Sequence, residues 1–294
     1  TGLGAAAGYL TLDRWRMTIN AASAGRYTMA QVADGPAGFA NCLKLTTTTA
    51  DTSIAASEYL ILQQRFEGQD LQGIKKGTSA AEAITVSFYA KANASFKFVV
   101  ALFDVDNDRY AGSTFDVTSS WQRFIVTFPA DADDGASPFD NDNADSLNLR
   151  FFIHGGSNYT SGTLSSTFAN VDNTNTYDSN ADSFYSSTDN NFFLTGVQLE
   201  VGSVATPFEH TSSFGEQLAL CQRYFHKWDG TAGGNNTEFC IGFVTSSTAA
   251  RGVYFYPQIM RSNPAISASG DFRFWDGTVR SVTSGNITVQ RGNV

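Results

Sequence analysis

Cysteine is scarce in this sequence: Cys42, Cys221 and Cys240 are an odd number, far apart and without a CxxC pair. A disulfide framework is therefore not expected. Cys42 and Cys221 read as small buried hydrophobes, and spacing alone leaves a Cys221–Cys240 bridge open. Histidine is equally sparse. His154, His210 and His226 form no HExxH or comparable spacing, which removes support for zinc catalysis; they read as a strand-end surface residue, a linker residue and a helix C-terminal cation. Basic clusters are missing too, since 19 Lys and Arg against 28 Asp and Glu leave a formal charge of −9. Nucleic acid is not an expected partner of such a chain. No apolar run approaches the roughly 20 residues that cross a bilayer, and the first residues lack a basic start and apolar stretch. A soluble chain without membrane insertion is expected, and the opening Gly/Ala tract without an initiator Met leaves open whether the sequence is a fragment. GxSxG, GxxxxGK[ST] and GxGxxG signatures are likewise missing from a strand-to-helix context, so hydrolase triads and nucleotide binding lose their usual anchor.

What is present points to β-structure. Apolar residues make up 42% and charged residues 16%, with 24 Phe outnumbering Tyr and Trp together. Flat rings rather than long aliphatic chains are expected to fill the interior. Ile84, Val86 and Phe88 alternate with Thr85, Ser87 and Tyr89, and Phe96, Phe98, Val100 and Leu102 repeat the period of two before turn residues at Asp106–Asp108. These two segments read as a hairpin. Further strands are predicted near 27–32, 42–46, 59–66, 121–128, 147–153 and 191–200, a number that suits a two-sheet jelly roll. The stretch 155–190 is rich in Ser, Thr, Asn and Asp and has no Lys or Arg, yet Tyr159, Phe168, Tyr177, Phe184 and Tyr185 punctuate it. Partial order is expected there, with a neighbouring chain as one support.

One helix is predicted, where Ser213 and Glu216 have capping-box spacing and Leu218, Cys221 and Phe225 recur at helical period. Arg223, His226 and Lys227 are placed at its C-terminal end. Beyond it, 239–245, 251–258, 266–269, 272–275 and 287–289 read as strands. The fold class is thus all-β: a jelly-roll sandwich over 1–211, a connecting helix over 212–228, and a small β-domain over 229–294 whose size invites association with other copies.

No enzyme chemistry and no cofactor are expected. Asp104, Asp106 and Asp108 imitate an EF-hand start, but Arg109 and Tyr110 follow and the bidentate Glu is missing. A structural calcium ion on these or on Asp131, Asp133, Asp134, Asp140, Asp142 and Asp145 is left open, against a solvated turn as the plainer reading. Plentiful Asp and Glu leave glycoside cleavage open in the same weak sense. Saccharide contact needs aromatic faces and planar polar groups outside the core. On the strand 59–67, Gln63, Arg65 and Glu67 alternate away from Leu60, Leu62 and Phe66; Tyr89 and Lys91 alternate away from Phe88. Arg65, Glu67 and Tyr89 are candidate sheet-face contacts, and Tyr177 and Tyr185 candidate loop contacts. Trp15 and Trp121 are read as core.

Several segments, taken in order, resemble one family: Tyr-Leu-Thr-Leu-Asp-Arg-Trp at 9–15, Gln-Arg-Phe-Glu-Gly at 64–68, Val-Ser-Phe-Tyr-Ala-Lys-Ala at 86–92, Ser-Trp-Gln-Arg-Phe-Ile-Val-Thr-Phe-Pro at 120–129, Gly-Val-Gln-Leu-Glu-Val-Gly-Ser-Val-Ala-Thr-Pro-Phe-Glu at 196–209, and Glu-Gln-Leu-Ala-Leu-Cys-Gln-Arg-Tyr-Phe at 216–225. Phe-Tyr-Pro-Gln-Ile-Met-Arg-Ser-Asn-Pro at 255–264 follows. They look like the carbohydrate-binding-module-like jelly roll and the segments after it in tail-fibre and other virion proteins of tailed bacteriophages. The resemblance implies a homotrimeric fibre component, assembled in the bacterial cytoplasm with other virion proteins and displayed on the virion, that attaches to host cell-surface glycan without catalysis. A purely structural virion component and a polysaccharide depolymerase are the alternatives.

Overall fold

Period-two alternation builds strands through the first two thirds of the chain. In chain order they are β1 (Gly2–Gly4), β2 (Gly8–Tyr9), β3 (Arg16–Ile19), β4 (Arg26–Val32), β5 (Cys42–Thr49), β6 (Tyr59–Glu67), β7 (Ile84–Ala92), β8 (Phe96–Asp104), β9 (Arg109–Val117), β10 (Gln122–Phe128), β11 (Asp145–Gly155), β12 (Ala169–Asn170) and β13 (Asn191–Val201), with a single-turn helix α1 (Ser157–Thr160) after β11. This is a computed structural model that describes residues 2–4, 7–12, 14–20, 23–132, 137–209, 213–227, 240–246, 249–267, 272–275 and 279–282. Two units emerge, Thr1–Glu209 and His210–Val294.

In the first unit the strands form two sheets, A in the order β1-β4-β5-β13-β7-β10 and B in the order β12-β9-β8-β11-β6-β3-β2. Their inner faces meet in a two-layer sandwich of the jelly-roll kind. The phenylalanine interior is as expected: Phe88 lies edge-on to Phe115 at 5.1 Å and to Phe151 at 4.9 Å, and Phe98 meets Phe192 at 5.6 Å. Each buried ring contributes on the order of 2–3 kcal/mol of apolar transfer, and edge-on geometry adds a little more. Trp15 packs against this core.

One pairing expected from the sequence is corrected. β7 and β8 do not form a hairpin, because β7 joins sheet A beside β13 and β10 while β8 joins sheet B. The hairpin partner of β8 is β9, reached through a turn in which Asp108 takes φ 50°. Asp104 Oδ1 closes that turn by accepting from the backbone N–H groups of Asp106 and Asn107 at 3.0 and 3.1 Å.

In the second unit, α2 (Phe214–Gln222) begins with the capping box predicted from Ser213 and Glu216: Ser213 N–H donates to Glu216 Oε2 at 2.7 Å, and Glu216 N–H reaches Ser213 Oγ at 3.4 Å. The helix ends sooner than expected, so His226 and Lys227 lie beyond its C-cap at Arg223. Cys221 is only half-buried, whereas Cys42 is buried as expected, and no disulfide joins any of the three cysteines. Two hairpins follow, β14 (Ile241–Ser246) with β15 (Ala249–Val253) and β16 (Phe272–Trp275) with β17 (Val279–Val282). Ile266 is not in a strand. Phe239, His210, Asp133, Asp134 and the strand expected at 287–289 lie outside the described residues.

Candidate functional site

The outer face of sheet B carries the strongest candidate site. One row of register partners crosses six of its strands: Tyr9, Arg16, Gln63, Arg150, Ala101 and Gly112. Beside it runs a second row, Arg65, Asn148, Phe103 and Tyr110. Register partners on adjacent strands stand about 5 Å apart on the same face, so the sheet itself gathers Arg16, Arg65 and Arg150 around Gln63 and Asn148.

The two ends of this face differ. Towards β8 and β9 it is apolar, where Ile61, Val99, Ala101, Tyr110, Phe152 and Tyr177 form a second buried cluster. The polar stretch 155–190 lies over it. Gly112 N–H donates to Ser165 O at 2.7 Å, Tyr110 Oη donates to Thr176 O at 2.7 Å, and Asp182 is bonded to Lys97 through both backbone and carboxylate. Support for this stretch therefore comes from its own sheet. Towards β3 and β2 the face is polar and open: Tyr9 is 58% exposed and the Arg65 side chain 36%. Arg65 bonds Asp145 at 3.1 Å. The Arg150 guanidinium lies 4.0 Å from the centroid of the Phe103 ring, a cation–π arrangement. Beneath these side chains Asn148 is 2% exposed, and its Oδ1, like Arg150 Nε, has no hydrogen-bond partner among the described residues. A buried polar atom left unpaired costs about 1–3 kcal/mol, a cost that a water or a ligand hydroxyl bonding to it removes.

Of the residues singled out in the sequence, Arg65 stands at this open end. Glu67 lies on the same strand, but it is enclosed and accepts from Gln69 Nε2 at 2.7 Å, which corrects its placement as a surface contact. Tyr89 is on the other side of the molecule: β7 belongs to sheet A, and its ring packs against Phe39 at 5.2 Å. Trp121 is also on that outer face, half-buried, with the Lys91 ammonium 5.2 Å from its ring, and not in the core. Tyr177 and Tyr185 are corrected from loop contacts to buried residues. Tyr177 is 1% exposed and stacks on Phe152 at 4.6 Å, because the apolar end of sheet B needs a cover and the aromatics of the polar stretch provide it. Tyr185 is buried between Gly25, where a Cβ would overlap its ring, and His154 at 5.0 Å. Tyr9, Arg16, Asn148 and Arg150 were missed. Asn148 and Arg150 alternate with Leu147, Leu149 and Phe151 and were legible as outward positions, but only register shows which residues stand beside them.

Two buried polar clusters lie elsewhere in this unit. The Lys76 ammonium sits 2.7 Å from Asp104 Oδ2, 3.5 Å from Asp131 Oδ2 and 2.9 Å from Ser137 O, and Arg109 grips Asp131 through two bonds of 2.6 and 2.7 Å. Two of the carboxylates considered for calcium are thus neutralised by side-chain cations, and no group of three or more His, Cys, Asp or Glu able to hold a metal occurs among the described residues. The second cluster corrects the surface placement of His154, which is fully buried. Its Nδ1 is 2.8 Å from Ser183 Oγ and its Nε2 3.3 Å from Glu58 Oε2. Burial lowers the imidazole pKa to about 4, so this contact is a hydrogen bond of neutral His and not an ion pair at neutral pH. Serine, histidine and carboxylate stand in the order of a hydrolytic triad. The hydroxyl, however, already accepts from Tyr185 N–H at 3.1 Å and the ring is sealed from solvent, so the arrangement ties the cover to the sheet.

No family model matches the sequence, and no curated protein matches it. Among solved structures the chain is distantly similar to the carbohydrate-binding module CBM4 (15% identity, 63% of this chain and 86% of the other, TM-score 0.35). A family 11 carbohydrate-binding module of a Clostridium thermocellum cellulosomal cellulase aligns at 12% identity over 70% of this chain and 96% of its own, with TM-score 0.33. The enzymatically active domain of bacteriophage CBA120 tailspike protein 4 aligns at 8% identity over 64% of this chain and 19% of its own, also with TM-score 0.33.

Proposed function

We propose that this chain is a non-catalytic saccharide-binding protein of a bacteriophage tail fibre or related virion part, and that the open end of sheet B's outer face holds the host-surface glycan. The reading rests above all on the two buried, unpartnered polar atoms, Asn148 Oδ1 and Arg150 Nε, beneath the exposed Arg65. A flat sheet face lined by guanidinium, amide and an exposed tyrosine ring offers planar hydrogen bonding and stacking to sugar rings. The sequence resemblance to virion proteins supports the setting, and a homotrimer with other virion proteins as neighbours belongs to the same proposal.

Binding of the purified chain to a glycan array, followed by an assay for released reducing ends, tests it. Retention of one or more glycans, lost on Asn148→Leu with the thermal transition preserved and with no product released, is the expected result. Reducing-end release would replace the reading with a depolymerase. A blank array together with stable incorporation away from the virion tip would replace it with a purely structural role.

A further inference from the structure

We infer that the saccharide held on this face is an acidic one, bound through its carboxylate by Arg65 with Arg16 and Arg150 alongside; this deepens the reading above and rests on it. The molecule as a whole carries a charge of −9, and a polyanion is repelled by such a surface at long range. Against that background the sheet concentrates three guanidinium groups. Arg16 and Arg150 flank Gln63 in one row of the sheet, and Arg65 is the next outward position on β6. Two strand spacings separate Arg16 from Arg150, about 10 Å, the span of two sugar rings or fewer.

Two acids lie on this patch. Asp145 bonds Arg65 at 3.1 Å, and Glu67 is enclosed with Gln69 as a partner. The Arg65–Asp145 bridge uses one terminal nitrogen of Arg65, Nη1, while a guanidinium offers five N–H donors in a planar fork suited to a carboxylate. Arg16 Nη1 donates to Thr18 Oγ1 at 2.6 Å, and Arg150 is steadied on the Phe103 ring with its Nε unsatisfied. The N–H donors of the three guanidinium groups outnumber the oxygens of the two carboxylates beside them. A neutral sugar presents hydroxyls that need acceptors as often as donors, whereas a uronic acid supplies a further acceptor-only group for the guanidinium N–H donors that Asp145 leaves over. The Asn148 Oδ1 atom is then placed to accept from a ring hydroxyl beside the carboxylate.

The test uses the intact chain with polygalacturonate, alginate and hyaluronate, each beside its carboxyl-reduced counterpart, and with a neutral mixed-linkage glucan. At least one acidic polymer should bind, and carboxyl reduction should weaken it at least tenfold. Arg65→Ala should weaken it by about tenfold and Arg65→Lys by less, since the lysine keeps charge but loses the fork. Binding should also weaken as salt rises. Equal affinity for the acidic and reduced forms, or binding of the neutral glucan alone, overturns the acidic assignment and leaves saccharide binding standing. Failure to bind any of these polymers overturns the acidic assignment, and a blank array in the same preparation removes the saccharide reading with it. Arg65 is exposed and its substitution does not threaten the fold, so a loss of binding with an unchanged thermal transition reads on the site.

Discussion

A single row of residues across sheet B has two fates. At one end Tyr9 and Arg16 lead to an open polar surface beside buried Gln63; at the other, Ala101 and Gly112 lie beneath the stretch 155–190. Different strands of one sheet supply the two ends, β2 and β3 the open one and β8 and β9 the covered one, and a segment distant in sequence covers only the second. Small residues at one end let the cover approach, and long charged side chains at the other exclude it. Stability and recognition should therefore separate along the row. Tyr177→Ala offers the largest test of that division: it removes a ring stacked on Phe152 and a hydroxyl bonded to Asp182 O at 2.6 Å. A loss of about 3–5 kcal/mol in denaturant unfolding is expected. A loss below 1 kcal/mol would show that the cover is not part of the folded core.

The second test acts on the tie between cover and sheet. Buried His154 has its pKa lowered from 6.5 to about 4 by burial. Between those values the unfolded chain binds more protons than the folded one, so stability rises with pH across this window and is lost as pH falls from 6.5 towards 4. At 1.36 kcal/mol per pKa unit the loss is about 3 kcal/mol. Glu58 acts in the opposite sense, because burial raises its pKa, with Asp51 beside it adding to the effect; that contribution is present at low pH and fades as pH rises through the folded value. Asp51 has a lowered pKa, since backbone N–H donors from Ala24 and Ser53 outweigh the effect of burial, and its contribution fades only as pH falls below its ordinary 3.8. Denaturant midpoints measured from pH 7 to 4 should fall in the native chain and fall less in His154→Gln. Parallel curves for the two would remove His154 from the account.

The sequence made the sandwich legible because Phe and aliphatic residues at every second position leave few other ways to bury apolar area. β9 escaped notice because Ala111, Gly112, Ser113 and Thr114 carry little apolar signal, although Ala111, Phe115 and Val117 are buried. The site was legible only in part. Period two correctly turned Arg65 outward, but it turned Tyr89 outward on a different sheet, since facing direction is local and sheet membership is set by long-range pairing. Tyr177 and Tyr185 misled for the reverse reason. Their polar neighbours suggested a solvated loop, whereas the apolar outer end of β8 and β11 drew in the Tyr177 ring and the main core between the sheets took the Tyr185 ring.

Two smaller tests probe this face of sheet B directly. Gly112 lies under the cover, where an added Cβ would come 2.7 Å from Leu164 Cδ1. Gly112→Ala should therefore cost about 1–3 kcal/mol as Leu164 is displaced, read as a lowered denaturant midpoint; an unchanged midpoint would mean that Leu164 yields freely.

At the open end Arg65→Ala should change stability by less than about 1 kcal/mol. It removes one exposed bridge to Asp145, and such pairs gain little once solvent screening and side-chain entropy are counted. Its effect should appear in ligand binding instead. Comparing Arg65→Ala with Gly112→Ala places two substitutions on one face of the same sheet, so any general sensitivity of sheet B would affect both alike. If the Arg65 variant lost as much stability as the Gly112 variant, the open end would be part of the packed structure, and this face of the sheet would have one function and not two.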